Sequence, residues 1–419
     1  MDNRTISGIV AILLLATVLV TSFGTNLVKA VPSTITVPDD YSTIQEAINH
    51  ASDGDTVFVK AGTYNESVII NRTASLIGEN RETTIIQAAA PTKYGVLVTS
   101  DNVTFIGFTV CKSLWWGIQV QSSGCHISDS NFSESEDEGI FLDGRNAQVS
   151  DNVLVNNTVL NNGVAGIHVW ISNGNHIESN IIGNSFFGIY IEDNSSRNTV
   201  ERNEIFSESI VGIALVWGSF GNTIACNNIS DCGWNWDGDG AISFGTHSVG
   251  NKIVSNLIRN NRIGVTLRYF SNDNVFYHNS FINNLAPVSN DNQFPSSCIW
   301  DGGYSQGGNY WSDCNGTDVK KGLYQNETGS DGVADSPYTI DVYDQDRYPL
   351  MKPYVTMFGD CNGDGVVNLQ DAMIVALAFG AYPDSARWNP LADVNKDGTV
   401  NLKDLFAVYI RFGKTYIPQ

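Results

Sequence analysis

The chain has 419 residues, and its 44 Asp and Glu against 23 Lys and Arg give it a formal net charge of −21. This length predicts one large repetitive domain or two to three separate domains, with room for a sizeable core. Because so acidic a surface repels phosphate backbones and attracts divalent cations, we expect no nucleic-acid partner.

The N-terminus has the features of an export signal. A short polar segment with Arg4 precedes an almost uncharged stretch from Ile6 to Phe23, and Ala30 offers a small residue at a cleavage position. We therefore predict a signal peptide over residues 1–30 and a secreted or extracellular protein, with attachment to a cell surface left open. The apolar stretch is also at the lower length limit for crossing a bilayer, so contact with the membrane is expected only if the segment is retained.

Seven cysteines follow in the exported part, and none form the CxxC pairs of a zinc site. In an oxidising compartment some of them are expected to form disulfides. Their spacing suggests pairs of Cys226 with Cys232 and Cys298 with Cys314, and less clearly of Cys111 with Cys125. The odd number leaves at least one thiol over, for which Cys361 is the candidate.

A repeat of about 22 to 24 residues runs from Gly95 to Asn284, marked by a small residue followed by a branched aliphatic one. The pairs are Gly95-Val96, Gly117-Ile118, Gly139-Ile140, Gly166-Ile167, Gly188-Ile189, Gly212-Ile213, Ala241-Ile242 and Gly264-Val265. The unit is too short for helical repeats, and its apolar positions alternate with a period of two. It predicts coils of three short strands, stacked as an all-β right-handed parallel β-helix.

A second register accompanies the first, with an Asn two residues before a Val, Ile or Phe. Its members are Asn157, Asn180, Asn203, Asn227, Asn256 and Asn279. Stacked coils would bring these side chains into one ladder of amides inside a turn. We interpret them as structural rather than glycosylated or catalytic.

The first coil needs a cover, because its open strand edges would otherwise be exposed. Ser42 and Gln45 form a capping-box pattern before the apolar face Ile44, Ala47, Ile48 and Ala51, which predicts a short capping helix. The whole stretch VPDDYSTIQEAINHASDGDTVFVKAGTY, residues 37–64, resembles the opening of many pectin-lyase-like β-helix proteins.

The segment GNYWSD at 308–313, followed by SPY at 336–338 and DRYPLM at 346–351, resembles the end of NosD-like β-helix proteins. The NosD resemblance implies a role in copper delivery. Copper sites need clustered His, Met or Cys, and the six His and four Met of this chain are scattered, which argues against that role.

Two segments near the C-terminus share the spacing of calcium loops, with oxygen ligands at positions 1, 3, 5, 9 and 12, a carbonyl at position 7 and Gly at position 6. The first loop offers Asp360, Asn362, Asp364, the Val366 carbonyl, Asn368 (directly or through water) and Asp371. The second offers Asp393, Asn395, Asp397, the Thr399 carbonyl, Asn401 and Asp404.

Each loop leads into an apolar helical segment, Ala372 to Phe379 or Leu405 to Phe412, that stops at Gly380 or Gly413. This duplicated loop-helix unit resembles a type I dockerin. The resemblance implies two bound Ca²⁺ ions and a calcium-dependent cohesin partner. Partner choice in dockerins depends largely on positions 10 and 11, here Leu369, Gln370, Leu402 and Lys403, so the common Ser-Thr pair is absent and the cohesin stays unidentified.

The strand that begins at each Gly-Ile pair places alternate residues outward, in two columns. The first column is Gln119, Phe141, His168, Tyr190, Ala214, Ser243 and Thr266, and the second is Gln121, Asp143, Trp170, Glu192, Val216, Gly245 and Arg268. Aromatic rings stack on sugars, and charged groups bind hydroxyls or uronates. We predict a glycan-binding face formed by Phe141, His168, Trp170, Tyr190 and Arg268.

Four carboxylates are candidate catalytic groups: Asp143 and Glu192 on the face, and Asp237 and Asp239 in the long insertion after Trp234. Two coils at about 4.8 Å each would separate Asp143 from Glu192 by about 9.6 Å, near the upper end of the range of inverting glycosidases. The alternative is that these carboxylates are solvated surface groups without a catalytic role. The paired-Asp and Gly-His-Gly pattern of polygalacturonases is absent, and no Lys or Arg obviously fills the base position of pectate lyases.

The sequence thus predicts four parts: a signal peptide (1–30), a β-helix with a helical cap (31–290), a NosD-like end (291–354) and a dockerin (355–419). Two functions fit these parts. The first is a secreted carbohydrate-active or carbohydrate-binding protein attached to a cohesin-bearing surface assembly. Its enzyme form would be a polysaccharide hydrolase or lyase. The alternative is a non-catalytic surface or adhesion protein with a glycan-binding β-helix.

Overall fold

The structure is a computed structural model that describes residues 32–89, 92–235, 239–354, 359–361, 366–382, 385, 387–389, 392–394 and 398–413. The predicted signal peptide lies outside this described part. Among the described residues, no helix is both long and apolar enough to cross a membrane.

Three parallel sheets run the length of the β-helix, and each coil contributes one strand to each of them in the order A, B, C. Sheet A contains Thr34–Val37, Thr56–Val59, Ser75–Gly78, Thr104–Ile106, His126–Ser128, Val153–Val155, His176–Glu178, Thr199–Glu201, Thr223–Ala225, Lys252–Val254 and Val275–Tyr277. Sheet B contains Gly62–Asn65, Thr84–Gln87, Thr109–Cys111, Asn131–Ser133, Thr158–Leu160, Ile181–Gly183, Glu204–Phe206, Asn228–Ser230, Leu257–Arg259, Ser280–Ile282 and Tyr310–Trp311. Sheet C contains Val68–Ile70, Tyr94–Val98, Trp116–Val120, Glu138–Asp143, Ala165–Trp170, Phe187–Glu192, Val211–Leu215, Ile242–Phe244, Ile263–Leu267 and Ala286–Asn290. The predicted parallel β-helix is confirmed.

Three pairs of short strands lie outside these sheets. They are Val149–Ser150 with Ser172–Asn173, Lys320–Lys321 with Glu327–Thr328, and Tyr338–Thr339 with Gln345–Asp346. The first pair is parallel and the other two are antiparallel.

The repeated aliphatic residues form the core because they point inward at the same place in every coil. Ile118, Ile140, Ile167, Ile189 and Ile213 are register partners in sheet C, and none of their side chains is exposed. Each such side chain contributes roughly 2 to 3 kcal/mol when fully buried. The period of the sequence is therefore the stacking period of the core.

The predicted asparagine ladder is present at the turn between sheets A and B. Asn157, Asn180 and Asn203 each donate from Nδ2 to Oδ1 of the next member, at 3.0 to 3.1 Å. The run continues through Asn227, Asn256 and Asn279 and ends on Asn309. Each amide also accepts from the backbone N–H of the preceding member, so this buried turn has few unpaired polar groups.

Two further ladders lie five residues before and five residues after the first one. The earlier ladder contains Asn152, Asn175, Asn198, Asn222, Asn251 and Asn274. The later slot is occupied by Asn162, Ser185, Glu208, Cys232, Asn261 and Asn284. The spacing Asn-x4-Asn is visible in the sequence and would have revealed both, but the sequence analysis recognised only the middle ladder.

A short helix, α1, covers the N-terminal end, as predicted, over Ile44–His50. Its N-cap is Thr43 rather than Ser42, because the Thr43 hydroxyl accepts from the Glu46 backbone N–H. The Gln45 side chain makes no capping box and instead bonds both backbone groups of Ile69, at 2.6 and 3.2 Å. The helix thereby covers the open edge of sheet C.

The C-terminal end of the β-helix is closed by stacked aromatic rings. Trp311 stacks between Phe281 and Tyr338, with ring centroids 4.3 and 4.4 Å away. The buried Asp346 carboxylate accepts from Trp311 Nε1 and from the Asn309 backbone N–H, which ends the ladder. The motifs at 308–313 and 346–351 therefore meet in one cap.

The seven cysteines are all described, and none of them forms a disulfide. The predicted pairings are therefore wrong for this structure. Cys232 is fully buried in a ladder slot, where its backbone N–H donates to Asn261, whereas Cys226 lies at a half-buried turn position with φ of 56°. Proximity in sequence did not bring these side chains onto the same face of the coil.

The described residues of the C-terminal module have their own small core and two helices, α2 over Leu369–Leu377 and α3 over Leu402–Tyr409. Both begin three residues earlier than predicted, because the side chains of Asn368 and Asn401 cap them. Gly380 and Gly413, at φ of 79° and 82°, follow the helices as expected.

Candidate functional site

The two predicted outward columns of sheet C are in register. Phe141 pairs with His168 and His168 with Tyr190, while Asp143 pairs with Trp170 and Trp170 with Glu192. Asp143 and Glu192 are therefore two coils apart, as expected. The columns gather Phe141, His168, Trp170 and Tyr190 into one cluster.

This cluster is more enclosed than the sequence indicated, because the outer side chains cover one another. Phe141 is 1% exposed and His168 4%, whereas Trp170, Tyr190 and Arg268 are half-buried. The His168 ring stacks on Phe141 and on Trp170, with centroids 4.8 and 5.5 Å apart. Only the outer rings of the predicted face are therefore open to a ligand.

His168 bridges two carboxylates from neighbouring coils. Its Nδ1 lies 2.9 Å from Glu138 Oε1, and its Nε2 lies 2.9 Å from Glu192 Oε1. Burial alone would lower the pKa of His168, but the hydrogen bonds and charges of the two carboxylates raise it overall, which favours the protonated ring. Glu138 Oε2 is buried and accepts no hydrogen bond within the described residues.

Asp143 is held by a bidentate ion pair. Arg145 donates to it from Nε and Nη2 at 2.7 and 3.0 Å, and Gln119 and Gln121 donate at 2.8 and 3.1 Å. Burial alone would raise the pKa of Asp143, but these donors lower it overall. The exposed Arg145 guanidinium also lies over the Trp170 ring, 4.4 Å from its centroid. The Asp143 carboxylate is thus ionised and buried, and both of its oxygens already accept hydrogen bonds from side chains of the protein.

The acidic insertion contributes one described carboxylate. Asp239 lies 3.3 Å from Arg268 Nη1 and accepts from the Ser243 hydroxyl at 3.3 Å. Burial raises the pKa of Asp239, against the opposing effect of Arg268. Asp237 lies outside the described residues. Asp239 and Arg268 therefore form a second charged pair beside the outer columns.

Aromatic rings continue past the predicted face, one on each of six successive coils. This ring row consists of Trp170, Tyr190, Trp217, His247, Phe270 and Phe294, with Tyr269 beside Phe270. From Trp217 onward the rings lie on stacked turns after sheet C, which are joined by backbone bonds from Gly218 to Thr246, from His247 to Tyr269 and from Phe270 to Phe294. Trp217 is 58% exposed, and the last three coils line a shallow pocket of about 220 Å³. The sequence analysis missed this part, although its aromatic residues recur near the ends of the sheet C strands.

A group of metal-ligand type lies on sheet A. His176, Glu178 and Glu201 have ligand atoms within 4.8 Å of one another. Arg202 already donates to this group, since its Nη1 lies 2.7 Å from Glu178 and 2.9 Å from Glu201. A side chain of the protein therefore already compensates part of the charge of the two carboxylates.

The C-terminal module retains the donor set of two calcium loops in its described part. Asp371 and Asp404, at position 12 of each loop, are fully buried, and Asp360 and Asp393, at position 1, are 7% and 6% exposed. Asp393 Oδ1 is buried and accepts no hydrogen bond from the described residues. Carboxylate, amide and backbone carbonyl oxygens at this spacing are the ligands that calcium takes, so these residues fit calcium. Asn362, Asp364, Asn395 and Asp397 lie outside the described residues, and Val366, Asn368, Thr399 and Asn401 complete the described candidates.

A parallel β-helix followed by a duplicated loop-helix module is thus the class of protein that the fold defines. The family model described as "Periplasmic copper-binding protein (NosD)" matches residues 48–237 and 148–316, and the chain belongs to this family. The model described as "Dockerin type I domain" matches residues 358–411, and type I dockerin domains bind calcium. The resemblances to NosD-like proteins and to type I dockerins, which were stated from sequence motifs, are confirmed.

One curated relative and two solved structures show the range of similar proteins. A "Cell surface glycoprotein" of Methanothermus fervidus is 28% identical over 316 residues, covering 65% of this chain and 51% of the relative, so the chain spans about half of that relative's length. The pectate lyase Pel9A structure is 14% identical, with a TM-score of 0.43 over 62% of this chain and 78% of that one. The AlgE4 A-module, a mannuronan C-5 epimerase of Azotobacter vinelandii, is 12% identical, with a TM-score of 0.47 over 62% and 96%.

Proposed function

We propose that this protein is an extracellular glycan-binding protein whose β-helix binds a polysaccharide along the ring row. Its dockerin, with two calcium ions, attaches it to a cohesin-bearing surface assembly. The observation that carries the proposal is the succession of partly exposed rings on six coils. The name of the curated relative, a cell surface glycoprotein, supports an extracellular or cell-surface location.

The chemistry of the row suits a polysaccharide that lies along the axis of the β-helix. Coils repeat at about 4.8 Å, which is close to the length of one sugar unit in an extended chain. Aromatic faces stack on the apolar faces of pyranose rings, and Arg145 and Arg268 offer donors for hydroxyl or carboxylate groups. In this proposal Trp170, Tyr190 and Arg268 contact the ligand, while Phe141 and His168 support the outer rings from beneath.

Binding without cleavage is favoured by the state of the face carboxylates. Asp143 is occupied by Arg145, and Glu192 is hydrogen-bonded to His168. A hydrolase needs one carboxyl that gives a proton and one carboxylate that activates water or attacks the sugar. Neither group is open to a substrate in this arrangement.

A polysaccharide hydrolase or lyase is the second candidate, and the buried Glu138–His168–Glu192 group favours it. An imidazole between two carboxylates can hold and transfer a proton, and Oε2 of Glu138 is buried and accepts no hydrogen bond from any described residue. Under this candidate Asp143, Glu192, Asp237 and Asp239 remain the proposed catalytic carboxylates.

The test is a panel of neutral and acidic polysaccharides in affinity gels, combined with assays for reducing ends and unsaturated products. Trp217→Ala should weaken retention at least tenfold, whereas Tyr324→Ala, which removes an exposed ring of the C-terminal cap, should leave it unchanged. Retention without product supports the binding protein. Product that is lost in His168→Gln or Glu192→Gln would establish the enzyme instead, and equal retention by both Ala variants would refute the ring row.

The dockerin helices carry apolar side chains that the module leaves exposed. Leu369, Met373 and Leu377 on α2 are 55–72% exposed, and Leu402, Phe406 and Ile410 in and after α3 are 54–70% exposed. Such faces are typical of surfaces that bind another protein. We expect cohesin modules encoded by the same organism to bind in calcium and to dissociate in EDTA, and a Met373→Asp/Phe406→Asp double variant to bind none of them.

A further inference from the structure

Two groups of asparagines in this chain have different surroundings. Ladder members such as Asn180, Asn203 and Asn256 are buried, and the residue two positions later is an Ile that points into the core. The inward position of the next strand thus excludes Ser or Thr two residues after a ladder asparagine. These side chains are neither accessible nor part of an Asn-x-Ser/Thr motif.

The second group lies on the surface and does carry this motif. Its exposed members are Asn65, Asn71, Asn102, Asn156, Asn194, Asn315 and Asn326. In the first five, the Ser or Thr two positions later is buried or half-buried. In the last two, which belong to the C-terminal cap, both the Asn and the Thr are exposed.

Asn326 has the most open surroundings. Asn326, Glu327 and Thr328 are all exposed, and the Asn326 side chain makes no hydrogen bond within the described residues. Thr328 pairs with Lys320 in the two-stranded antiparallel hairpin that projects from the cap. Asn315 is similarly exposed, and the hydroxyl of Thr317, the Thr of its motif, donates to the Asp335 carboxylate at the surface. An enzyme can reach both motifs without opening the β-helix.

We propose that Asn315 and Asn326 are N-glycosylation sites. The side-chain nitrogen Nδ2 forms a bond to the anomeric carbon of a diphosphate-activated oligosaccharide and loses one proton. The bond from that carbon to the diphosphate breaks, and the diphosphate leaves with the electron pair and, in the net balance, takes up the proton that Nδ2 released. The motif with an exposed amide is the acceptor that this chemistry requires in an exported protein. The inference rests on the export that the proposed function includes.

Two motifs in sheet B provide an internal comparison. Asn131 donates to Glu82 at 3.3 Å and to Thr109 at 3.2 Å, and Asn228 accepts from Arg259 at 3.3 Å. Both are half-buried in strands, so a glycan there would displace the neighbouring strand contacts. We therefore expect Asn131 and Asn228 to carry no glycan in the folded protein.

The experiment is glycopeptide mass spectrometry on the full chain, purified from the surface or medium fraction of its source organism. We expect peptides containing Asn315 and Asn326 to carry a glycan mass, and the Asn203 peptide to have its unmodified mass. Thr328→Ala should remove the modification at Asn326, and Thr328→Ser should retain it. If both cap peptides of the exported protein have their unmodified mass, the glycosylation proposal is overturned and the glycan-binding proposal stands. If the protein is absent from the surface and medium fractions, the proposed location is overturned as well.

Discussion

Glu208 should make the β-helix less stable as the pH rises. It occupies a ladder slot that Asn162 and Asn261 fill on other coils, and it is 1% exposed. Its Oε2 accepts from the Ser185 backbone N–H, but its Oε1 accepts no hydrogen bond within the described residues. Burial raises the pKa of Glu208 from the ordinary 4.5 to about 8. The folded protein therefore keeps this carboxyl protonated at neutral pH.

The sign follows from proton linkage. Between pH 4.5 and about 8 the folded state holds a proton that the unfolded chain has lost, so the free energy of unfolding falls as the pH rises through this window. The loss is about 3 kcal/mol at pH 7 and about 5 kcal/mol above the folded pKa, at 1.36 kcal/mol per unit. Below pH 4.5 both states are protonated, and the penalty vanishes.

Glu208→Gln should remove this dependence, because a neutral amide of the same shape can still accept from Ser185. We expect the urea midpoint of Glu208→Gln to match that of the wild type near pH 4.5 and to exceed it increasingly up to pH 8. Urea unfolding is monitored by tryptophan fluorescence. Glu204→Gln, at an exposed position of the same coil, controls for the loss of one charge. Parallel pH profiles of wild type and Glu208→Gln would refute the reasoning.

Three other changes test the remaining structure. Asn203→Ala removes a buried ladder amide and leaves its partners unpaired, so it should cost about 3 kcal/mol of unfolding free energy in urea titrations; an unchanged midpoint would contradict the ladder's role. His168→Gln should lower the free energy of unfolding most below pH 6.5, where the wild-type ring is charged in both the folded and the unfolded state. The loss should become smaller as the pH rises through the raised pKa of the folded state. A loss of unfolding free energy that grows with pH would show that the ring is neutral in the folded protein. EDTA, or Asp371→Ala with Asp404→Ala, should abolish the helical circular dichroism of the isolated residues 355–419 while the full-length β-sheet signal persists; retained helicity in EDTA would refute calcium-coupled folding.

The coil stacking and the middle ladder could be predicted because each depends on a local repeat. Once Ile140, Ile167 and Ile189 recur at one position of the coil, parallel pairing fixes which side chains become neighbours. The same logic placed Asp143 two coils from Glu192. It could not show that Arg145 would fold back onto Asp143, or that Glu138 would reach His168, because both contacts depend on side-chain direction after the coil is closed.

The burial of the outer face was also invisible to the sequence. Alternation gives the side of a strand on which a residue lies, but not what lies above it. Phe141 was assigned to an open surface, yet neighbouring outer rings cover it. The cysteine pairings failed for a related reason, since separation along the chain does not give the direction of a side chain at a turn.

The sequence by itself determined the β-helix, its end caps and the dockerin module, because these depend on periodic burial and on residue spacing within short segments. The tertiary structure decided which carboxylates are occupied, which rings remain accessible and which asparagines reach the surface. These properties arise when separate coils stack and their side chains compete for the same space and the same hydrogen-bond partners.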